Sequence, residues 1–201
     1  MTWTDWMPEL HRITDPALRK LAVEVLTEAA GRGGWQHPDR LAYVEETAAG
    51  GPPVVRDGVT LIQHLRLVAA AAAGMAEHCN EIVDARVNVD HVLTGALLHD
   101  VGLFAMLHPT DQGPALRGPL LLRHPFVGAR LAADMGMDES VVHIIATHSV
   151  EGESTVRTPE SALVHWADWG TYDVMRAAHF PWAPQERAFY YYPAGERTPR
   201  P

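Results

Sequence analysis

Residues 96–102 read ALLHDVG, in which the pair His99-Asp100 closes an apolar run. The run begins near Val92 and is apolar on nearly every side of a helix, so a helix here is expected to be buried all round. A buried aspartate without a partner is costly in free energy, and a buried histidine also needs a hydrogen-bond or metal partner. The pair therefore requires polar partners elsewhere in the chain.

Two other histidines lie on the apolar faces of predicted helices. His64 follows Leu61 by three residues and precedes Val68 by four, so it shares their helical face. His148 follows Ile144 by four residues and lies on the same kind of apolar stripe. Both side chains are expected to be buried, which makes them candidate partners for the His-Asp pair.

Two more residues complete the set of candidates. Asp168 has apolar neighbours one helical turn away on each side, and His124 precedes Pro125 at a predicted helix start. A single residue of this kind is usually a hydrogen-bonded core residue or a helix cap, but an ordered set of six is explained most simply by a pair of bound metals. The candidate ligands, in chain order, are His64, His99, Asp100, His124, His148 and Asp168.

The donor types limit the choice of metal. Imidazole and carboxylate together suit iron, manganese, cobalt, nickel or zinc, whereas an all-oxygen magnesium site would not use four histidines. The sequence therefore predicts two divalent transition metals and favours iron, manganese, cobalt or nickel over magnesium.

Helical periodicity extends over most of the chain, and no segment of any length shows the alternation of a strand. The predicted fold class is all-α. Helices are predicted over about residues 16–30, 60–83, 88–100, 124–135, 138–148 and 158–178. Segments rich in glycine and proline predict a mostly irregular region at 31–58, with a short helix near 40–49, and a loop or lid at 105–123.

The chain is expected to form one domain with appendages. Its 201 residues and 47% hydrophobic content suit a single core. We expect an N-terminal helix and loop at 1–58 appended to a metal-binding core at 59–178, followed by a tail rich in proline and aromatic residues at 179–201. Glu153 and Arg157 are expected to be solvated loop charges that border the pocket.

The charge balance is acidic, with 16 basic and 25 acidic side chains and a formal net charge of −9. Binding of a nucleic-acid polymer usually requires a basic footprint. The composition therefore predicts a small-molecule substrate and no nucleic-acid polymer as a partner. A small nucleotide is compatible with this charge, because a bound metal supplies positive charge locally.

Cysteine usage and hydropathy indicate a cytoplasmic protein. Cys79 is the single cysteine, so no disulfide can form within the chain. The longest apolar run, at 67–73, is too short to span a bilayer, and the N-terminus lacks the basic and then apolar order of a signal peptide. We therefore expect no membrane association, and the sequence predicts no particular oligomeric state.

The motifs, taken in order over about residues 59–172, resemble those of the HD-domain superfamily, which is named for its His-Asp pair. Residues 96–102 match its central motif, and 124–129 (HPFVGA), 144–148 (IIATH) and 164–168 (VHWAD) resemble its later motifs. The resemblance implies a single HD-type helical bundle with a binuclear metal site.

The resemblance also implies how the ligands are divided between the two metals. One metal would be held by His64, His99, Asp100 and Asp168. The second would be held by His124 and His148, with Asp100 as the bridge.

Three residues are candidates for catalysis beside the metals. Asp100 would bridge the pair and orient the nucleophile. Many members carry a lysine where this chain has Leu103, and Arg123 is the candidate anion-binding residue in its place. His165 lies one turn before Asp168 and is a candidate to orient a ligand or to meet the substrate.

The leading hypothesis is a phosphohydrolase, in which two metals supply a nucleophile at neutral pH and cleave a small phosphate ester or anhydride, including nucleotides. The alternative is a diiron HD-type oxygenase acting on a small polar substrate, which the missing lysine at Leu103 slightly favours. A second alternative is a degenerate HD domain that binds a ligand without catalysis, although all six ligands are present. Phosphate release or oxygen uptake distinguishes the two enzymes.

Overall fold

Helices make up most of the computed structural model, which describes residues 1–45, 54–118 and 121–179. The α-helices in chain order are α1 (Trp3–Trp6), α2 (Pro16–Gly33), α3 (Leu61–Val83), α4 (Val89–Leu98), α5 (Val101–Met106), α6 (His124–Asp134), α7 (Glu139–Thr147) and α8 (Pro159–His179). Short 3₁₀ helices cover Pro8–Arg12, Pro38–Arg40 and Val150–Ser154. The predicted all-α fold class is confirmed. Within this described part of the chain, no helix has the length and apolarity to cross a bilayer.

Capping side chains set the starts of two long helices where the sequence predicts them. The carboxylate of Asp15 accepts hydrogen bonds from two backbone N–H groups at the start of α2, with Pro16 at the first helical position. At the start of α3, Thr60 and Gln63 form a capping box. These caps satisfy N–H groups that a helix start leaves unpaired, so local sequence places α3, which carries His64.

α4 lies at the centre of the bundle, in contact with α3, α7 and α8. Its residues 92–98 are all buried, as expected from the apolar run. Close packing against α7 requires Gly95, because a Cβ atom there would lie 2.6 Å from the Ile144 side chain. The helix that leads into the His-Asp pair is therefore held on several sides.

The helical course is interrupted at the pair His99-Asp100, which lies at the junction between α4 and α5. A second helix, α5, follows where the predicted helix ends at residue 100, and Gly102 lies inside it. A Cβ atom at Gly102 would lie 2.2 Å from the carbonyl oxygen of His124, so glycine allows the start of α6 to approach this junction. The junction thus brings three candidate ligands close together.

The N-terminal segment contributes to the same core as the metal-binding region. Met7, Leu10 and Val25 are fully buried, and α2 packs mainly against α5. The division of the chain after residues 58 and 178 stays a prediction. Residues 180–201 of the expected tail lie outside the described residues.

A hairpin precedes α3 where the sequence predicts an irregular region. β1 (Ala42–Glu45) pairs antiparallel with β2 (Val54–Thr60), and Tyr43 lies opposite Arg56. The short helix expected near 40–49 is therefore absent up to Glu45, and its remaining residues lie outside the described ones. β1 has four residues, too few for alternation to be visible in the sequence.

A second hairpin lies inside the expected loop or lid at 105–123. β3 (Leu107–Thr110) pairs antiparallel with β4 (Gly113–Leu116), and Pro109 lies opposite Pro114. Proline lacks the N–H that a strand donates, so its presence predicts a loop. Each strand has four residues, and such a short ladder tolerates prolines that a longer one would exclude.

Candidate metal centre

The six predicted ligands converge in the interior of the bundle. His64 lies on α3, the His-Asp pair at the junction of α4 and α5, and Asp168 on α8. His124 is the first residue of α6, and His148 directly follows α7. The side chains of His124 and Asp168 are the most exposed of the six, at 10% and 15%. These two side chains therefore mark the side of the cluster that is open to solvent.

One group of ligands lies between α3 and α8. His64 Nε2 is 3.2 Å from Asp168 Oδ1 and 3.1 Å from His99 Nε2. Asp100 Oδ2 lies 3.5 Å from each of these two imidazole nitrogens. We call His64, His99 and Asp168 the α3–α8 half of the centre.

The second group lies where α6 begins and α7 ends. His124 Nε2 is 2.9 Å from Asp100 Oδ1, and His148 Nε2 is 3.5 Å from the same oxygen. The two histidine nitrogens are 3.2 Å apart. We call His124 and His148 the α6–α7 half. Each carboxylate oxygen of Asp100 thus faces a different half, which is the arrangement of a bridging ligand.

Backbone carbonyls orient two of the imidazoles. His99 Nδ1 donates to the carbonyl of Ala96 at 2.7 Å, and His148 Nδ1 donates to that of Ile145 at 2.8 Å. Both histidines follow the last residue of a helix, where carbonyls lack helical partners. With Nδ1 protonated, Nε2 carries a lone pair that faces the cluster.

The donor set fits divalent metal ions. In each half, two Nε2 atoms lie 3.1 to 3.2 Å apart, and at least one of them carries a lone pair. A hydrogen bond between two such nitrogens uses the lone pair of only one of them, whereas a bound metal ion accepts the lone pairs of both. Four imidazoles and two carboxylates suit transition metals better than magnesium.

The electrostatics favour ionised carboxylates. Burial alone would raise the pKa of Asp100, but the adjacent His99 and His124 hold it well below its usual range. Burial likewise opposes the lowering of the pKa of Asp168, which results mainly from its hydrogen bond with His64. Both side chains are therefore negative and ready to bind a cation.

The pKa values of the two imidazoles in the α3–α8 half are shifted in opposite directions. Burial lowers the pKa of His99 to about 4. Burial would also lower that of His64, but its hydrogen bonds with Asp100 and Asp168 outweigh burial and raise its pKa to about 9. Without metal, one proton therefore resides on His64 at neutral pH.

His165 lies behind a ligand. Its Nδ1 hydrogen-bonds to the carbonyl oxygen of His148, and its Nε2 lies 3.7 Å from Glu153. Burial lowers the pKa of His165. His165 therefore contacts the backbone that carries His148, and its role as an orienting or substrate-contacting residue stays a prediction.

Arg123, the predicted anion-binding residue, forms an ion pair. Its Nη1 lies 2.7 Å from Glu151 Oε1, and the Glu151 side chain is only 9% exposed. Arg123 is adjacent to His124 in sequence, so this ion pair borders the α6–α7 half. An anion that binds to Arg123 must compete with Glu151.

Arg157 differs from its predicted role as a solvated loop charge. Its guanidinium donates to the carbonyls of Thr147 and Ser149 and to Glu153. The side chain is 15% exposed. The loop closes this tightly because Gly152 has no side chain, since a Cβ atom there would lie 2.1 Å from the Thr147 carbonyl oxygen. These contacts depend on how the loop folds back onto the end of α7, so the sequence pattern did not reveal them.

Sequence reasoning also missed Tyr43, which lies within the short helix expected near 40–49. Its ring centroid is 4.7 Å from that of His64 and 6.2 Å from that of Tyr172. Burial raises the pKa of the Tyr43 phenol, and the negative charges of Asp100 and Asp168 raise it further. The phenol therefore lies within reach of the electrostatic field of the centre.

Comparison with known proteins gives a match over the region that carries these ligands. The family model of the HD domain matches residues 61–172. Ribonuclease Y of Chloroflexus aurantiacus is 35% identical over 111 residues, which is 55% of this chain and 18% of that protein. The ribonucleases Y of Thermotoga maritima and Thermotoga petrophila are each 33% identical to this chain over 111 residues, which again is 55% of this chain and 18% of the relative. The chain thus corresponds to less than a fifth of the length of these curated relatives, and no solved structure gives a significant match.

These relatives correct one prediction. The exclusion of nucleic-acid polymers as partners is wrong, because the relatives are named as ribonucleases, enzymes that act on RNA. The error lies in using the net charge of −9 as a global criterion. Positive charge at a metal centre is local, and the charge of the remaining surface does not remove it. The HD match and the His/Asp cluster together indicate a site for divalent metal.

Proposed function

We propose that this chain, which belongs to the HD domain family, is a metal-dependent phosphohydrolase with a binuclear centre. The observation that carries the proposal is the position of Asp100. One of its oxygens faces His64 and His99, and the other faces His124 and His148. A carboxylate placed in this way is able to bridge two metal ions.

The proposed ligand assignment follows this division. The α3–α8 half together with Asp100 would hold the first metal. The α6–α7 half together with Asp100 would hold the second. The donor set favours iron, manganese, cobalt or nickel over magnesium.

The protein side chains supply position and charge for the reaction. A bound metal pair provides a nucleophile at neutral pH and offsets the charge of the transferring phosphoryl group. Asp100 stays ionised between the halves, and backbone carbonyls keep His99 and His148 in the tautomer that faces the centre. Substrate approaches from the side of His124 and Asp168, where the ligand side chains are most exposed.

An RNA phosphodiester is the first substrate to test. The support is the name of the relatives, ribonuclease Y, which match this chain over 55% of its length. Small phosphate esters and anhydrides, including nucleotides, are the second class. In either class, the ion pair of Arg123 with Glu151 opens if Arg123 contacts the phosphate.

The oxygenase alternative loses its sequence argument. Leu103 lies at a position where many HD-domain proteins have a lysine. The Leu103 side chain belongs to the hydrophobic core and is 2% exposed, so packing accounts for this residue. The convergence of all six candidate ligands also argues against a degenerate binding module. Cytoplasmic location stays a prediction from the single cysteine.

The test is hydrolysis by the full chain, purified without chelator and supplied with Mn²⁺. We expect release of p-nitrophenol from bis-p-nitrophenyl phosphate and cleavage of a short single-stranded RNA, both abolished by His124→Ala. His78→Ala is the matched control, because His78 is an exposed histidine on α3 outside the cluster. Iron-dependent oxygen uptake without phosphoester cleavage would instead support the oxygenase.

A further inference from the structure

The β1–β2 hairpin forms a wall of the centre. β2 ends at Thr60, and α3, which carries His64, starts at the next residue. The hairpin lies before residues 61–172, which match the HD domain. Since Tyr43 packs its ring against His64, the hairpin adds a side chain to the centre that the matched region itself does not contain.

The Tyr43 hydroxyl lacks a protein partner among the residues that the structure describes. The residue is 8% exposed, and none of the hydrogen bonds of the described chain involves its phenol. A mostly buried tyrosine usually finds a partner for its O–H group. Its ring lies against that of His64, with the ring centroids 4.7 Å apart. An unused donor on a ring that packs against a candidate metal ligand fits an oxygen atom of a bound substrate.

We propose that Tyr43 contacts the substrate, donating a hydrogen bond from its hydroxyl to an anionic oxygen of the phosphate group that reacts at the centre. This inference rests on the proposed function and adds a substrate-binding residue to it. The contact lies on the α3–α8 half, because the Tyr43 ring packs against His64.

The charges around the centre favour a phosphodiester over a polyphosphate. Arg56, opposite Tyr43 in the hairpin, forms two hydrogen bonds with Glu45 at 2.9 and 2.7 Å. Arg123 is paired with Glu151. Both cations are thus already balanced by carboxylates, whereas a polyphosphate needs additional cations beyond the metals. A neutral donor such as a phenol suits the single charge of a diester.

The experiment compares wild type, Tyr43→Phe and Tyr172→Phe as full-length, Mn²⁺-loaded proteins. Tyr43→Phe removes only the hydroxyl and keeps the ring on His64. Tyr172→Phe removes a hydroxyl from the neighbouring ring, and it is the matched control because that hydroxyl is buried away from solvent. The readouts are metal content, kcat/KM for bis-p-nitrophenyl phosphate, and the Kd of inorganic phosphate measured by calorimetry.

For Tyr43→Phe we expect unchanged metal content, kcat/KM lowered about tenfold or more, and phosphate binding weakened by a similar factor, as for loss of a hydrogen bond to a charged group. Tyr172→Phe is expected to retain wild-type values. Wild-type phosphate affinity in Tyr43→Phe, or an equal loss in Tyr172→Phe, would overturn the inference. If the wild type cleaves no phosphoester, the proposed function fails, while the phosphate Kd still decides the role of Tyr43.

Discussion

The two halves of the candidate metal centre are built in different ways. In the α3–α8 half, His64 and Asp168 lie within helices of 23 and 21 residues that pack against each other. In the α6–α7 half, His124 and His148 lie at the ends of helices of 11 and 9 residues. Their positions depend on helix termini and on the loop that carries Arg157. Apart from His99, which follows α4 and hydrogen-bonds to the Ala96 carbonyl, the first half is therefore fixed by helix packing, and the second by a few polar contacts.

The largest expected effect concerns the residue that both halves share. Asp100→Asn preserves shape but removes the charge between the halves, so we expect loss of both metals and of hydrolysis. Asp168→Asn affects the α3–α8 half alone and should reduce the metal content by about one equivalent. Metal analysis with circular dichroism as a folding control measures both. If Asp100→Asn retains one metal at wild-type affinity, Asp100 is not a ligand of both metals.

A smaller effect is expected from the loop behind the α6–α7 half. Arg157→Met removes the donors to the Thr147 and Ser149 carbonyls. We expect the free energy of unfolding to fall by about 1–3 kcal/mol and the affinity for the second metal to fall about 10- to 100-fold. The first metal should be unaffected.

The matched control for this change is Arg130→Met, because the Arg130 side chain is 78% exposed and forms a surface ion pair with Asp134 one turn away on α6. A surface pair of this kind contributes less than about 1 kcal/mol. Urea denaturation and Mn²⁺ titration compare the two variants. Equal weakening of both metals by Arg157→Met would show that the halves are not independent.

The smallest expected effect is the release of a proton when metal binds to the α3–α8 half. His64 has a pKa of about 9, above its ordinary 6.5, so metal binding to the α3–α8 half at pH 7.5 should release its proton. Calorimetry in buffers of different ionisation enthalpy measures the release, which should diminish above pH 9. Release that stays constant across this range would contradict the assignment of the proton to His64.

The raised pKa of His64 also makes the stability of the metal-free protein depend on pH. Its folded pKa lies above the unfolded value, so the stabilisation is fully present below pH 6.5 and is lost as pH rises through about 9. Denaturation midpoints of the metal-free protein should therefore fall between these pH values. His64→Gln should remove this part of the dependence.

The contrast between the halves also explains what the sequence could predict. Helical phase places His64 and Asp168 on apolar faces, and caps such as Thr60 fix the start of α3. For this reason the all-α class, the limits of the long helices α2, α3 and α8 and the burial of the central helix were predictable. The apolar run before His99 is visible without any knowledge of its neighbours.

Features that depend on tertiary return of the chain were not predictable. Tyr43 lies on a four-residue strand, which is too short to show a pattern. Arg157 looks like a loop charge until the turn at Gly152 brings it to the end of α7. The pairing of Arg123 with Glu151 joins residues 28 positions apart. In each case the partner is distant or the local signal is too short.

Metal stoichiometry tests the binuclear centre most directly. Elemental analysis of anaerobically purified protein, prepared without chelator, compares wild type with His124→Ala and the control His78→Ala. We expect about two equivalents in wild type and in His78→Ala, and about one in His124→Ala. One equivalent or fewer in wild type, unchanged by His124→Ala, would contradict the assignment of two metals to the two halves.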